Sequence, residues 1–224
     1  VLGSRGLGDV YKRQDQFRQV ITDYYGEGSP AYNLLGTANT NWQDEILRTS
    51  VSSDYNLSVG GTYKILPYRV AVSYTNQNGI LKTSAMDRVT ASITLNPKFF
   101  DNTLSVTANV KGFYMHNRFA DEGAIGGAVS FDPSQSVRVD NLPIGNGYFT
   151  WLKPGTDEFI GIAPVNPVSL IDERSMKADV YRSVGNLQLD YVMPFLPALH
   201  ANLNLGYDVS HSIQHNLMSP DSPL

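Results

Sequence analysis

The chain has 224 residues, a formal net charge of -4 and no cysteine. The charge gives no general attraction to nucleic acid, and the lack of cysteine excludes disulfides, thiolate metal sites and cysteine catalysis. No stretch approaches the roughly 20 consecutive apolar residues that a membrane-spanning helix requires.

The N-terminal part of the chain has two sections. Residues 1–14 contain three glycines followed by two basic residues, without periodicity, and we predict that they are a non-native or disordered tail. In residues 15–49, apolar residues recur at three- and four-residue spacing over positions 17–24, which predicts a short helix. Gly26 and Gly28 end this pattern, and the rest of the section is predicted to be a loop, in which residues 39–46 are compatible with a second short helical turn.

From residue 54 the sequence alternates between apolar and polar residues, and a period of two predicts strands with one apolar and one polar face. In the second run, for example, Tyr68, Val70 and Val72 share one face, and Arg69 and Ser73 share the other. Residues 115–184 are predicted to form one long loop between the fourth and fifth strands. The six predicted strands are 54–63, 68–75, 88–96, 104–114, 185–193 and 199–210.

Three features favour a membrane barrel over a soluble β-sandwich. The runs have about nine to twelve residues, close to the roughly 9–11 that a tilted strand needs to cross a bilayer. The predicted connections alternate between short and long, as they do in outer-membrane barrels. Tyrosines lie near the ends of the apolar faces, with aliphatic residues between them, as in a pair of aromatic girdles.

The polar faces carry charged residues that a packed core rarely holds but that a water-filled or plugged lumen accommodates. The predicted fold is all-β: a fragment of a large antiparallel up-and-down transmembrane β-barrel, with a short helix and long extracellular loops. Six strands would leave two unpaired edges in lipid, so we expect the sequence to be a piece of a longer barrel. The predicted lumen-facing residues are Arg69, Arg88, Lys111 and Asp190.

Several motifs between residue 15 and about residue 210 resemble those of the SusC/RagA transporters of Bacteroidetes. They include Asn41-Trp42-Gln43-Asp44-Glu45-Ile46, Tyr55-Asn56-Leu57-Ser58-Val59-Gly60-Gly61 and Ser130-Phe131-Asp132-Pro133. Others lie at 68–70, 73–80, 117–120 and 202–207, and Arg88 follows at the family's usual distance. Each motif is weak alone, but together they are specific.

The resemblance implies a barrel of about 22 strands around an N-terminal plug domain. It also implies TonB-dependent import of oligosaccharides or peptides through a Gram-negative outer membrane, with a SusD-like surface lipoprotein as lid. The expected partners are therefore that lipoprotein, TonB, outer-membrane lipid and the cargo, but no nucleic acid. Residues 15–49 would be an extracellular loop, whereas the family's TonB box, plug and C-terminal strands are not in this sequence.

The long loop is the best candidate for substrate contact, because aromatic rings stack on sugars and polar neighbours bond hydroxyl groups. The candidate substrate-binding residues are Arg118, Asp121, Tyr148 and Trp151. The alternative is that the loop's aromatic residues pack the loop onto itself or onto a lid partner. His211 and His215 are expected to be exposed loop residues, and no catalytic, cofactor-binding or metal-binding residue is predicted.

Two other functions are compatible with the alternating pattern. One is a soluble β-sandwich that binds carbohydrate or another protein. The other is a small outer-membrane enzyme barrel, which would need a converging catalytic set that the sequence does not offer. We therefore predict a non-enzymatic component of a transporter.

Overall fold

The computed structural model describes residues 14–140, 142, 144–220 and 222. The predicted tail lies outside the described residues except for Gln14, which begins the first helix. The helices are α1 Gln14–Tyr25, α2 Pro30–Asn33, α3 Trp42–Ile46, α4 Gly123–Ser130 and α5 Pro167–Asp172. The strands are β1 Ser52–Tyr63, β2 Leu66–Asn78, β3 Ala85–Leu95, β4 Lys98–Phe99, β5 Leu104–Phe119, β6 Arg174–Val192 and β7 His200–Met218. None of the helices in the described ranges is long and apolar enough to cross a membrane.

The described strands form one antiparallel sheet in the order β1-β2-β3-β5-β6-β7, and the short β4 pairs with β5. Each main strand lies beside the next along the chain, so the sheet is an up-and-down meander. The described strands belong to a single sheet, whereas a β-sandwich requires two sheets packed face to face. The predicted sandwich alternative is therefore wrong.

The strand register sorts the side chains into an apolar face and a polar face. Across the apolar face, one row of directly paired residues is Gly61, Tyr68, Leu95, Ala108, Leu187 and Leu205. This face is uncovered, since Leu57 is 71% exposed and Leu205 is 54% exposed. An apolar surface of this extent is stable only against another apolar surface, and the lipid around a barrel provides one.

One cross-strand row of the apolar face is rich in tyrosine and is called the aromatic row below. Its members are Tyr55, Tyr74, Val89, Tyr114, Tyr181 and His211. Tyr55 stacks on Tyr74 with ring centroids 6.5 Å apart, and Tyr114 lies 4.9 Å from Tyr181. Beyond this row, toward the end of the sheet near α3 and α4, the same face becomes polar, with Asp87, His116 and Asp179 in the next row.

Several strands are longer than the alternation predicts. β5 continues to Phe119, β6 begins at Arg174 and β7 reaches Met218, so the connection between β5 and β6 is 120–173 rather than 115–184. His211 and His215 consequently lie in β7 and not in a loop. The connection between β2 and β3 shortens likewise, to residues 79–84.

The physical reason is that the pattern inverts beyond the aromatic row. In β6, Met176 and Ala178 project from the polar-face side, and Ala178 is only 4% exposed. Their neighbours Lys177 and Asp179 project from the other side. Outside an apolar layer, a strand gains no stability from keeping the same face apolar. The alternation of apolar and polar residues therefore no longer indicates a strand there.

The described residues of 14–51 and 120–173, which make up most of the two predicted loop sections, pack together as a cap at one end of the sheet. Its core holds Trp42, Ile46 and Phe131, which are 1%, 1% and 2% exposed. Trp42 donates from Nε1 to the carbonyl of Asp132 at 3.0 Å, and its ring meets Phe131 edge-on at 4.6 Å. Helix α3 starts where Asn41 accepts from two backbone amides through its side chain.

A ladder of hydrogen bonds joins the two halves of the cap across nearly a hundred residues of sequence. Ala38 N donates to Ser134 O at 3.0 Å, and Thr40 N donates to Pro133 O at 2.9 Å. Gly36 N donates to Ser134 Oγ at 2.9 Å. A Cβ at Gly36 would lie 2.2 Å from the Ser134 carbonyl oxygen, so this close approach requires glycine.

Helix α1 lies where the apolar spacing predicts a helix, and its apolar face is only partly buried. The helix ends at Gly26, whose φ of 83° is in the left-handed region. Phe17 and Ile21 are half-buried against the rest of the cap. Val20 and Tyr24 are 50% and 83% exposed.

Candidate functional site

The polar face of the sheet holds all four residues that the sequence predicts to face a lumen. Arg69 and Lys111 line one shallow cavity of about 280 Å³, together with Ser73 and Thr90. Arg88 and Asp190 lie on the same face but outside that cavity. The register thus places the four on one surface and brings two of them together.

Lys111 also borders a second cavity of about 580 Å³ on the polar face. Arg182 lines this cavity and forms a two-point ion pair with Asp208, in which Arg182 Nε donates to Oδ1 at 2.9 Å. On the same wall, Asn109 Nδ2 donates to Asn186 Oδ1 at 2.8 Å. Arg182 falls in the predicted loop 115–184 and was therefore not among the predicted lumen-facing residues. Only the strand register brings it beside the opposite charge of Asp208.

Cross-strand partners hold most of the charges on this wall in place. Asp190 accepts from Asn202 Nδ2 at 3.3 Å and lies 3.0 Å from His200 Nδ1. These side chains remain substantially exposed, so each pair stabilises the fold only weakly. They nevertheless fix where charges and hydrogen-bonding groups face the open side of the sheet.

Arg88 occupies a tighter position at the cap end of the polar face. It is the strand partner of Thr75, which is 4% exposed and donates to Asp54 Oδ1 at 3.2 Å. Arg88 Nε is buried and has no hydrogen-bond partner among the described residues. A buried donor of this kind is costly unless another group bonds it.

Tyr148, a predicted substrate residue, is part of the cap core and is 4% exposed. Its hydroxyl donates to Asp172 Oδ2 at 2.7 Å and accepts from Arg138, whose guanidinium lies 4.1 Å from the ring centroid. Burial, and then the hydrogen bond to Asp172, raise the pKa of Tyr148 far above its ordinary value of 10.0. Tyr148 is therefore a structural residue that is closed to a ligand in this arrangement.

The other three predicted substrate residues do not converge either. Asp121 pairs with Arg174 at 2.7 Å and accepts from Gly123 N at 2.9 Å, which orders the start of α4. Trp151 packs its ring 5.0 Å from Phe149 and borders a shallow cavity of about 330 Å³ beside α1.

Arg118 was predicted to lie in the long loop, and that placement is wrong. It lies in β5, where its strand partners are Ala85 and Lys177. Its side chain projects from the apolar-face side, two rows beyond Tyr114.

The aromatic residues of the connection between β5 and β6 mainly pack the cap onto itself.

Comparison with known proteins finds a relative among the curated transporters. The TonB-dependent receptor SusC of Bacteroides thetaiotaomicron is 38% identical over 236 residues, covering 98% of this chain and 23% of that protein. No family model matches the chain. The chain thus spans about a quarter of the length of the relative that it matches.

Solved structures give the same fold. The RagAB peptide transporter superposes with a TM-score of 0.72 at 12% identity, covering 96% of this chain and 27% of that one. The open-open state of the RagAB peptide importer superposes with a TM-score of 0.64 at 16% identity, covering 99% of this chain and 25% of that one.

The meander and its two-faced wall, together with these superpositions, define a segment of a large antiparallel transmembrane β-barrel. The predicted fold class is confirmed. The sequence match identifies the family: the chain is a barrel fragment of the SusC/RagA-type TonB-dependent transporters, as its motifs predicted.

Proposed function

We propose that the chain forms part of the barrel wall of a TonB-dependent importer in a Gram-negative outer membrane, and that it acts in transport and not in catalysis. In this proposal the apolar face contacts lipid and the polar face lines the lumen. A SusD-like lipoprotein covers the cap, and the cargo is an oligosaccharide or a peptide.

The observation that carries the proposal is the two-faced wall in a chain that is 38% identical to SusC. The apolar face is exposed from β1 to β7, whereas the polar face presents Arg69, Lys111, Asp190 and the Arg182–Asp208 pair. Such a wall fits lipid on one side and water on the other.

The connections support an orientation with the cap outside the cell. At the cap end the connections include residues 120–173, whereas at the other end they are residues 64–65, 96–103 and 193–199. Outer-membrane barrels have longer loops on the extracellular side and short turns on the periplasmic side. The cap is therefore the surface offered to a lipoprotein lid, and its residues Asp121, Tyr148 and Trp151 act on cargo only through the shape of the cap.

The test is import by the complete transporter that contains this chain, produced in Bacteroides thetaiotaomicron with and without TonB. We expect the transporter in the outer-membrane fraction in both strains, and import only where TonB is present. Recovery of a folded protein in the soluble fraction, or import that does not depend on TonB, would contradict the proposal.

The two cargo classes differ in charge, which gives a second measurement. Lys111 borders the cavities of about 280 Å³ and 580 Å³ on the polar face, so its charge acts on a charged cargo and not on a neutral one. If the cargo is peptide, Lys111→Gln should slow the import of acidic peptides; if it is a neutral oligosaccharide, the variant should import at the unaltered rate. Asn204→Gln, on the same face, is the uncharged control.

A further inference from the structure

We propose that Arg118, Lys177 and His215 form a binding site for the phosphate-bearing headgroup of a membrane lipid on the apolar-face side of the sheet. The three residues lie side by side at the cap end of β5, β6 and β7. Arg118 is the direct strand partner of Lys177, and Lys177 is the direct partner of His215.

Arg118 and Lys177 lie side by side without an ion-paired acid among the described residues. Directly paired side chains have Cβ atoms about 4.5–5.5 Å apart, and like charges in such a pair destabilise the sheet. Neither Arg118 nor Lys177 forms an ion pair or side-chain hydrogen bond among the described residues. An anion lying between them would remove the repulsion and satisfy donors on both side chains.

The acids closest along the strands are already engaged. Asp179, two residues from Lys177 on the same side, accepts from Tyr114 Oη at 2.6 Å and lies 2.7 Å from His116 Nδ1. Asp87 accepts from Tyr74 Oη and from Asn76 Nδ2, both at 2.8 Å. These acids hold the row between the tyrosines and the basic residues, and neither of them forms an ion pair with Arg118 or Lys177.

The height of the site above the apolar band fits a lipid headgroup. Lys177 is four residues beyond Tyr181 of the aromatic row, which is about 14 Å along a strand and about 10 Å in height at a tilt of about 45°. Tyrosines of a girdle lie at the level of the headgroups. Long Arg and Lys side chains lean toward that layer, so their cations reach the phosphates from above.

The positive charge of the site and its continuity with the exposed apolar band together favour a lipid over other anions. The cations lie on the same side of the sheet as the exposed apolar band, so one amphiphilic molecule can place its phosphate on Arg118 and Lys177 and its acyl chains on the band. This inference rests on the proposed function, in which the apolar face contacts lipid. Free phosphate is the competing occupant, but it has no acyl chains to contact the apolar band.

The experiment is native mass spectrometry on the complete transporter that contains this chain, purified in detergent. The probes are monophosphoryl lipid A, its dephosphorylated form and inorganic phosphate. The test variant is Arg118→Gln with Lys177→Gln. The matched control is Lys64→Gln with Lys98→Gln, which removes two exposed cations at the opposite end of the sheet.

We expect the test variant to bind monophosphoryl lipid A about 30-fold more weakly than wild type, at roughly fivefold for each basic residue near a membrane surface. The control variant should bind as wild type does. Equal binding by the two variants, equal binding of the dephosphorylated lipid, or binding of inorganic phosphate alone would overturn the site. Those outcomes would contradict the lipid site but would still be compatible with an importer inserted in the membrane. If the transporter carried no lipid and were absent from the membrane fraction, the proposed function would be contradicted as well.

Discussion

Leu205 in β7 provides the sharpest test of which face meets lipid. It projects from the apolar face, is 54% exposed, and pairs with Leu187. His211, six residues further along the strand, belongs to the aromatic row. Six residues span about 20 Å, or about 14 Å in height at a tilt of about 45°. Half of an apolar band about 25 Å tall is about 12 Å, so Leu205 lies close to the middle of the bilayer.

The expected cost of an arginine on this face follows from that depth. Leu205→Arg should lower the free energy of unfolding by about 2–4 kcal/mol, the range for a basic residue on the lipid face at the midplane. Val209→Arg, only two residues from His211, should cost about 0–1 kcal/mol. Asn204→Arg is the matched control, because it lies at the same depth and projects from the polar face; we expect a cost near zero.

The assay is equilibrium urea unfolding of the complete barrel in phosphatidylcholine vesicles, followed by tryptophan fluorescence. The difference between Leu205→Arg and Asn204→Arg measures the sidedness of the wall, and the difference between Leu205→Arg and Val209→Arg measures depth. Equal losses at positions 204 and 205 would refute the assignment of faces. Equal losses at 205 and 209 would refute the depth argument, since a protein core has no membrane midplane.

Three further changes test the cap and the sheet. Gly36→Ala should destabilise the cap by about 1–3 kcal/mol, measured by the rate of limited proteolysis, because its Cβ would lie 2.2 Å from Ser134 O. Gly185→Ala should displace the ring of Tyr207, which would lie 2.4 Å from the new Cβ, and should alter the near-ultraviolet circular dichroism of the barrel. Tyr148→Phe should abolish the part of the cap's stability that is lost at high pH. Because the folded pKa of Tyr148 is raised, its contribution is complete below pH 10 and declines as the pH rises toward the folded value.

Each of these changes has its own control. Gly161→Ala introduces a Cβ with no atom within 4 Å, so its proteolysis rate should match wild type. Gly206→Ala meets only ordinary contact, at 3.7 Å from Gly185 O, and should leave the circular dichroism unaltered. For Tyr148, the proteolysis of wild type and variant is compared at pH 8 and pH 11. A parallel loss in both proteins would show that Tyr148 is not the group responsible.

Local sequence patterns were sufficient for the wall of the barrel. A period of two in a strand depends only on which side of the backbone each residue projects from, so the runs around Leu57, Val72 and Leu205 predict both the strands and their faces. The same parity places Arg69, Arg88, Lys111 and Asp190 on one surface. Helix α1 followed from the three- and four-residue spacing of its apolar residues, whereas the capping of α3 by Asn41 was seen only in the structure.

The tertiary structure alone decided the cap and the ends of the strands. The motif residues Trp42 and Phe131 meet across nearly ninety residues of sequence, and no local pattern indicates that contact. Tyr148 is an aromatic residue of a type that can stack on sugars. Its partners Arg138 and Asp172 come together only in the folded cap, where they keep the Tyr148 side chain buried.

The sequence by itself determined the strand periodicity, the family and the two faces of the wall, because these depend on neighbouring residues and on motifs. Only the folded chain determined where β6 begins, which brings Lys177 beside Arg118. Beyond the apolar layer, side-chain polarity is set by contacts with the cap and with water, and those contacts join residues far apart in the chain. In these strand ends the alternation of apolar and polar residues no longer indicates a strand. The pairing with neighbouring strands determines which residues lie side by side.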